Sequence, residues 1–82
     1  MSVEERVKKA LSEQLEIDID HIRLDSHLVN DLGADSLDLV EATMELEDEF
    51  DCIINNEELD SFRTVGDVVK WVTNHQNNLK TG

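Results

Sequence analysis

Apolar positions recur at helical spacing in three stretches of the chain. In the first stretch, five residues spaced three and four apart predict one face of a helix of about 13 residues. These residues are Val3, Val7, Ala10, Leu11 and Leu15. Ser2 and Glu5 have the spacing of a capping box, so we expect this helix to begin directly after Ser2.

The other two stretches predict two further long helices. One is opened by Asp35 or Ser36 and runs to about Phe50. The other begins after Thr64, whose spacing from the acid three residues on gives a second capping box, and runs to about His75. Between these helices, Asn56 is expected to cap a short helix over 57–61, and the polar residues 76–82 are expected to form a frayed tail.

The residues between the first two long helices, 16–35, have no sustained period. Ile17 and Ile19 alternate with acids as in a strand, but we reject a strand because no second strand is available to pair with it. Ser26 is expected to cap a single turn over 27–31. A loop of this length is uncommon in a compact domain and is often functional. The predicted fold is all-α: one domain over 1–82, a four-helix bundle with a short third helix and a long loop between helices one and two.

Composition narrows the function classes. The chain has 82 residues, with 20 acidic and 7 basic side chains and a formal net charge of −13. This charge repels phosphates, which disfavours nucleic acid and favours basic protein surfaces as partners. No apolar run approaches the ~20 residues of a membrane span and the N-terminus has no targeting pattern, so we expect a cytoplasmic protein without membrane insertion. A single cysteine, Cys52, excludes an internal disulfide.

The acids are concentrated on the second long helix. Residues 31–60 carry twelve acids and no base. On a helical wheel five of them form a stripe about 100° wide, with three apolar residues on its flank. The acids, hereafter the acidic stripe, are Asp38, Glu41, Glu45, Asp48 and Glu49, and the apolar residues are Leu37, Val40 and Met44.

Like charges four residues apart, and acids near the negative end of a helix, both weaken that helix. A small domain that keeps such charges is expected to use them, so we interpret the acidic stripe as a surface for a basic, partly apolar partner. The structural alternatives are a merely solvated face for the acids and core packing for the three apolar residues.

Ser36 stands where a loop meets this helix. Free backbone N–H groups and the helix dipole favour an anion at such a position, so a phosphate ester on the hydroxyl is electrostatically well placed. The alternative is that Ser36, or Asp35 before it, is simply the helix cap.

The string around Ser36 adds a family resemblance. Residues 31–38 read Asp-Leu-Gly-Ala-Asp-Ser-Leu-Asp, with Val40 and Glu41 following, and resemble the prosthetic-group site of acyl carrier proteins of type II fatty acid synthesis. The resemblance extends over nearly the whole chain. It implies a non-enzymatic carrier in which a carrier-protein synthase transfers 4′-phosphopantetheine from coenzyme A to the Ser36 hydroxyl. The thiol of that arm would then hold acyl groups as thioesters.

The resemblance also implies two sets of binding residues. Basic patches on fatty acid synthesis enzymes and acyltransferases would dock on Asp35, Leu37, Asp38, Val40, Glu41, Met44, Glu47 and Asp48 of a monomeric carrier. The acyl chain would lie between the helices against Leu28, Val29, Leu46, Ile54, Leu59, Phe62 and Val68. Two of these residues, Leu59 and Phe62, differ from the family's usual residues, and our hypothesis is that their bulk shortens the chain that the pocket shields.

Two alternatives remain open at the level of sequence. The first alternative is a carrier for polyketide, peptide or D-alanyl units. The second is an unmodified acidic module that binds proteins or divalent ions. No metal site is predicted, because no register of the acidic segment fits an EF-hand and the three histidines (His21, His27 and His75) lack the spacing of metal ligands.

Overall fold

The computed structural model describes residues 2–81, and side chains are described for residues 2–75. The helices are α1 (Val3–Leu15), α2 (Ser36–Phe50), α3 (Asn56–Ser61) and α4 (Val65–Thr81), with one 3₁₀ turn at Ile19–His21. The predicted all-α fold with a short third helix is therefore confirmed.

The helix starts follow side-chain caps. The Ser2 hydroxyl accepts from the Glu5 N–H at 3.2 Å, as predicted for α1. The cap of α3 is Asn55, whose side chain accepts from the Glu58 N–H at 2.9 Å. The prediction of Asn56 was wrong by one residue because two adjacent asparagines are both capable caps, and Asn56 is the first residue of the helix.

The end of α4 was also predicted too early. The helix extends to Thr81, six residues beyond the expected end near His75. The polar composition of this segment suggested an end, but no glycine or proline interrupts the chain between Gly66 and Gly82. The frayed tail predicted for 76–82 lies outside the residues whose side chains are described.

The core draws one apolar face from each long helix. Six large side chains are almost fully buried: Val7, Leu11, Leu28, Leu46, Val65 and Val72. Leu28 belongs to the long loop, so this loop is part of the core and not a loose connection. The loop is tied to the start of α4 by backbone hydrogen bonds, including Leu28 N–H to Arg63 O at 2.9 Å and Gly66 N–H to Leu24 O at 2.8 Å.

The turn inside the loop is capped differently from the prediction. Ser26 is buried and its hydroxyl accepts from the Arg23 N–H at 3.0 Å, upstream of the turn. The ring Nδ1 of His27 accepts instead from the N–H groups of Val29 and Asn30, at 3.2 and 3.0 Å. The prediction for Ser26 was wrong because its hydroxyl is already engaged in the preceding turn.

Candidate functional site

The start of α2 is built by two aspartates. The Asp38 N–H donates to the Asp35 side chain at 2.9 Å, and the Asp35 N–H donates to the Asp38 side chain at 3.3 Å. Asp35 is therefore the cap, and Ser36 is the first helical residue. Ser36 is exposed, and among the residues with described side chains its hydroxyl has no hydrogen-bond partner. The hydroxyl is thus available to another molecule.

The backbone before Ser36 is fixed by a tight turn. Gly33 has φ +72°, which favours glycine, and its N–H donates to Val29 O at 3.0 Å. The next N–H, that of Ala34, donates to the carbonyl of buried Leu28 at 3.0 Å, and Ala34 is itself buried. Ser36 is consequently held at a defined place, two residues beyond a segment anchored in the core.

Two carboxylates already occupy the positive end of the α2 dipole, where an added phosphate was predicted to lie. The carboxylate of Asp35 already accepts from the third N–H of the helix, and Asp38 adds a second negative charge. Both acids complement the positive end of the helix dipole, so they take part of the stabilisation that an added phosphate would receive. What the site offers to a phosphate ester is therefore mainly an exposed hydroxyl that has no partner among the described side chains.

The three apolar residues beside the acidic stripe are not core residues. Leu37 is 66% exposed, Met44 61% and Val40 40%. The opposite face of α2 supplies the core through Ala42, Leu46 and Phe50. Two exposed acids, Glu41 and Asp48, belong to the same helix and lie beside Leu37 and Met44 on the helical wheel. The alternative of core packing is therefore wrong for these three side chains, and α2 presents a mixed apolar and acidic surface.

The acidic stripe divides into two groups. Glu49 turns toward α1, where its carboxylate lies 2.9 Å from the guanidinium of Arg6, and Arg6 also stacks over the Phe50 ring at 4.4 Å. Burial, followed by the facing carboxylate of Glu13, raises the pKa of Glu45. Both stripe acids line a cleft of about 350 Å³ between α1 and α2, with Arg6, Lys9, Ala10 and Glu13. The wheel grouped all five acids because it displays one helix without its neighbours.

Glu47 has a structural role at the other end of α2. Its carboxylate accepts from the Ile54 N–H at 2.6 Å, while its carbonyl accepts from Asp51 and Cys52. This arrangement closes the helix at Asp51, which has φ +52°. Burial, and then the charges of Glu47 and Asp51, raise the pKa of the Cys52 thiol. The docking role of Glu47 stays a prediction, because its carboxylate is already engaged within the chain.

The residues of the predicted acyl pocket gather in the core, with one exception. Five belong to the buried cluster and Leu59 packs against it; the five are Leu28, Leu46, Ile54, Phe62 and Val68. Val29 is 48% exposed and lies outside that cluster. Phe62 meets the ring of Trp71 edge-on, with centroids 6.2 Å apart. The use of these residues as a pocket stays a prediction.

Two contributions to this region were not found from the sequence. Arg6, the cation that fixes α1 to α2, carries no local signal because its partner is 43 residues away. Ile53 is 83% exposed, although the sequence places it in an apolar pair with Ile54. The hydrogen bonds of the surrounding backbone decide which of the two isoleucines faces the core, and the sequence does not show these bonds.

The part of the chain that the structure describes lacks both a metal site and a membrane span. Residues with described side chains contain no group of three His, Cys, Asp or Glu placed to hold a metal ion. In the same part of the chain, every helix is too short or too polar to cross a membrane.

Comparison with known proteins identifies the family. The model of a family described as the phosphopantetheine attachment site matches residues 5–72. Over 77 residues the chain is 43% identical to an acyl carrier protein from Chlamydia trachomatis, which covers 94% of this chain and all of that protein. The chain belongs to the acyl carrier protein family. A solved structure from Mycobacterium tuberculosis, provisionally named an acyl carrier protein, superposes on this carrier with a TM-score of 0.83. It is 39% identical, and the match covers 88% of this chain and 96% of the other.

Membership defines the chemistry at a coarse level. The carrier uses a phosphopantetheine group, and it is a substrate-bearing protein and not an enzyme. It carries acyl chains and interacts with enzymes.

Proposed function

We propose that this carrier bears 4′-phosphopantetheine on the Ser36 hydroxyl and presents acyl thioesters to the enzymes of fatty acid synthesis. The observation that carries this proposal is the cap of α2. Because Asp35 occupies the capping position, the hydroxyl of Ser36 is exposed and unpartnered among the described side chains. The matched family region, residues 5–72, includes this serine.

The residues around Ser36 support attachment without self-catalysis. In the transfer, the Ser36 oxygen forms a bond to the β-phosphorus of coenzyme A, the phosphoanhydride bond breaks, and adenosine 3′,5′-bisphosphate leaves. The hydroxyl proton needs a base. Among the described side chains none is hydrogen-bonded to the Ser36 hydroxyl, so the proposal assigns the base to the carrier-protein synthase. Once attached, the arm supplies the thiol that holds the acyl group.

The exposed face of α2 supports docking of basic enzymes. Leu37, Val40 and Met44 offer apolar contacts, and Asp35, Asp38, Glu41 and Asp48 offer negative charge close to them. Glu47 contributes charge at the edge of this face. Such a surface steers positively charged partners and repels a second copy of itself, which supports a monomeric carrier.

The attachment site is tested by intact mass. The apo-protein is incubated with coenzyme A and a purified phosphopantetheinyl transferase, and we expect it to gain the mass of one phosphopantetheinyl group. Ser36→Ala should gain nothing while keeping its helical circular dichroism, and Ser61→Ala, at another exposed serine, should be modified normally. A folded wild-type protein that stays unmodified, or a modified Ser36→Ala, contradicts the proposal.

The pathway is tested on the modified protein. We expect a purified malonyl transferase of fatty acid synthesis to load the new thiol, giving a malonyl thioester visible by mass. Modification without loading would separate the two parts of the proposal, because it would keep Ser36 as the attachment residue and assign the carrier to another pathway.

A further inference from the structure

Ile53 is the most exposed large hydrophobic side chain among residues 2–75, at 83%. It lies in the segment that follows α2, in which exposure alternates residue by residue. Cys52 is half-buried, Ile54 is buried in the core, and Asn55 is exposed and caps α3. Ile53 therefore points outward because its neighbours hold the inward positions.

The backbone at this point is fixed. The N–H of Ile54 donates to the Glu47 carboxylate at 2.6 Å, and Asp51 ends α2 with a bond to the Glu47 carbonyl. Rotating Ile53 into the core would break these contacts and expel Ile54. The exposure of Ile53 is thus a built feature of the fold, in a small protein that has no disulfide to offset the loss of a buried isoleucine.

The hydrogen bond from the Ile54 N–H to Glu47 ties the segment that holds Ile53 to one side of α2. Glu47 lies seven residues after Val40, on the same row of the helix. Ile53 therefore lies just beyond the C-terminal end of the row that carries Val40 and Glu47, two residues after the helix ends at Asp51. Since α2 has 15 residues, this row ends about 22 Å from the Ser36 end.

The surrounding charge identifies the kind of occupant. Twelve acids and no base lie within residues 31–60, and Asp51 and Glu57 near Ile53 are exposed. An anionic membrane surface and a second copy of this chain are both repelled by this charge. A protein that surrounds an apolar depression with lysine or arginine is complementary both to the Ile53 side chain and to the acids around it.

We infer that Ile53 is an apolar anchor for enzymes that dock along the full length of α2, with the side chain seated in an apolar depression rimmed by basic residues. This inference rests on the proposed function and adds to it a recognition contact at the end of α2 remote from Ser36. An enzyme that reaches Ile53 spans the whole helix, so the contact fixes the direction in which the carrier lies on its partner.

The test compares matched isoleucine variants with two enzymes. Apo-protein is assayed with a purified phosphopantetheinyl transferase, and holo-protein with a purified malonyl transferase. We expect Ile53→Asn to raise the KM with at least one enzyme by about fivefold or more, with kcat little changed. Ile53→Leu should restore most of the loss, and Ile19→Asn, at a partly exposed isoleucine in the 3₁₀ turn, should stay within about twofold of wild type.

Each outcome has a defined meaning. Unchanged KM values for Ile53→Asn with both enzymes, or an equal effect of Ile19→Asn, overturn the inference while leaving Ser36 modification intact. A wild-type protein that never gains the prosthetic group overturns the proposed function instead. Because Ile53 is exposed, its two variants should melt close to the wild-type temperature, which separates a docking effect from unfolding, and the melting temperature of Ile19→Asn checks that this control is folded.

Discussion

At the scale of single residues, Asp35 caps α2 and the adjacent Ser36 keeps an exposed hydroxyl. Serine and aspartate are both good helix caps, and the sequence left either open at this position. The bond from the Asp38 N–H to Asp35 assigns the structural task to the aspartate. The serine is therefore not needed as the helix cap, which leaves its hydroxyl available for the modification that we propose.

The first prediction follows from that division. Asp35→Ala removes the cap and should lower the free energy of unfolding by about 1 kcal/mol. Asp35→Asn keeps an acceptor oxygen and should lose less, and Ser36→Ala should leave stability almost unchanged. Urea unfolding monitored by circular dichroism measures all three. A Ser36→Ala variant less stable than Asp35→Ala would mean that the serine, and not the aspartate, holds the helix start.

At the scale of elements, the pairing of α1 with α2 carries an internal cost. Arg6 joins Glu49 across the two helices, but Glu13 and Glu45 bring two carboxylates into the same cleft. Burial and the charge of Glu13, followed by that of Glu49, raise the pKa of Glu45 above its ordinary value of 4.5. A raised folded-state pKa means that the folded protein takes up this proton at a higher pH than the unfolded chain does.

The second prediction concerns the pH dependence of stability. As the pH is lowered from 7 through the folded-state pKa of Glu45, the free energy of unfolding should rise, and this gain is complete below 4.5. Glu45→Gln should stabilise the protein at pH 7 by about 0.2–0.5 kcal/mol and flatten the rise. Asp48→Asn, on the exposed face of α2, serves as the control and should leave the rise in place. If the free energy of unfolding of Glu45→Gln varied with pH as it does in the wild type, the carboxylates of Glu45 and Glu13 would not be coupled.

Asp67, at the start of α4, has the opposite effect to Glu45 on the pH dependence of stability. Its carboxylate accepts from the N–H groups of Arg63 and Thr64, and these bonds lower its pKa below 3.8. The stabilisation it provides is present above 3.8 and is lost as the pH falls through the folded-state value. The third prediction is that Asp67→Asn weakens the acid-side loss of stability in urea titrations while leaving the gain attributed to Glu45. If the loss persists undiminished, other carboxylates dominate acid unfolding.

Some features of the helices and the loop were predictable from the local sequence, and others depend on contacts between distant residues. The start of α1 after Ser2 was predictable, and the start of α2 was limited to Asp35 or Ser36, because caps act within three or four residues. The bonds that tie the long loop to α4, such as Leu28 N–H to Arg63 O, join residues far apart and leave no local pattern. The same limit explains Glu45 and Glu49: periodicity gives the face of a helix, but the packing partner decides which acids on that face meet a neighbouring helix.

At the scale of the whole molecule, unpaired negative charge dominates. Among the described side chains only two ion pairs form, Arg6 with Glu49 and Lys8 with Glu4, against a net charge of −13. Most carboxylates therefore repel one another across a molecule whose radius of gyration is 11.7 Å. That distance is comparable to the Debye length at about 0.1 M salt, so screening acts over the whole fold.

The fourth prediction is that this carrier is stabilised by salt and by magnesium. Raising NaCl from about 0.01 M to about 0.1 M shortens the Debye length from about 30 Å to about 10 Å and should raise the melting temperature. Magnesium should act at lower concentration because a divalent ion screens more strongly. A melting temperature that is indifferent to both would mean that the acids are too far apart to destabilise the fold.

The acyl chain poses the remaining question for the whole molecule, because all the proposed pocket residues except Val29 belong to the packed core or lie against it. Sheltering a chain requires these side chains to separate, and they differ in how firmly they are held. Phe62 is buried and braced by Trp71, whereas Leu59 is half-buried at the margin of the core. The bulk at these two positions should therefore limit the length of chain that enters, with Phe62 as the firmer barrier and Leu59 as the position where truncation opens space at the lower cost.

The fifth prediction tests this limit through thioester hydrolysis. On the wild-type holo-protein, a short acyl thioester should hydrolyse more slowly than a long one, whose reactive end is drawn less fully into the protein. Leu59→Ala enlarges the space and should slow hydrolysis of the long thioester specifically. Leu15→Ala removes the same atoms from another half-buried leucine packed on the core and should not. Equal protection of short and long chains in the wild type would place the chain outside these residues altogether.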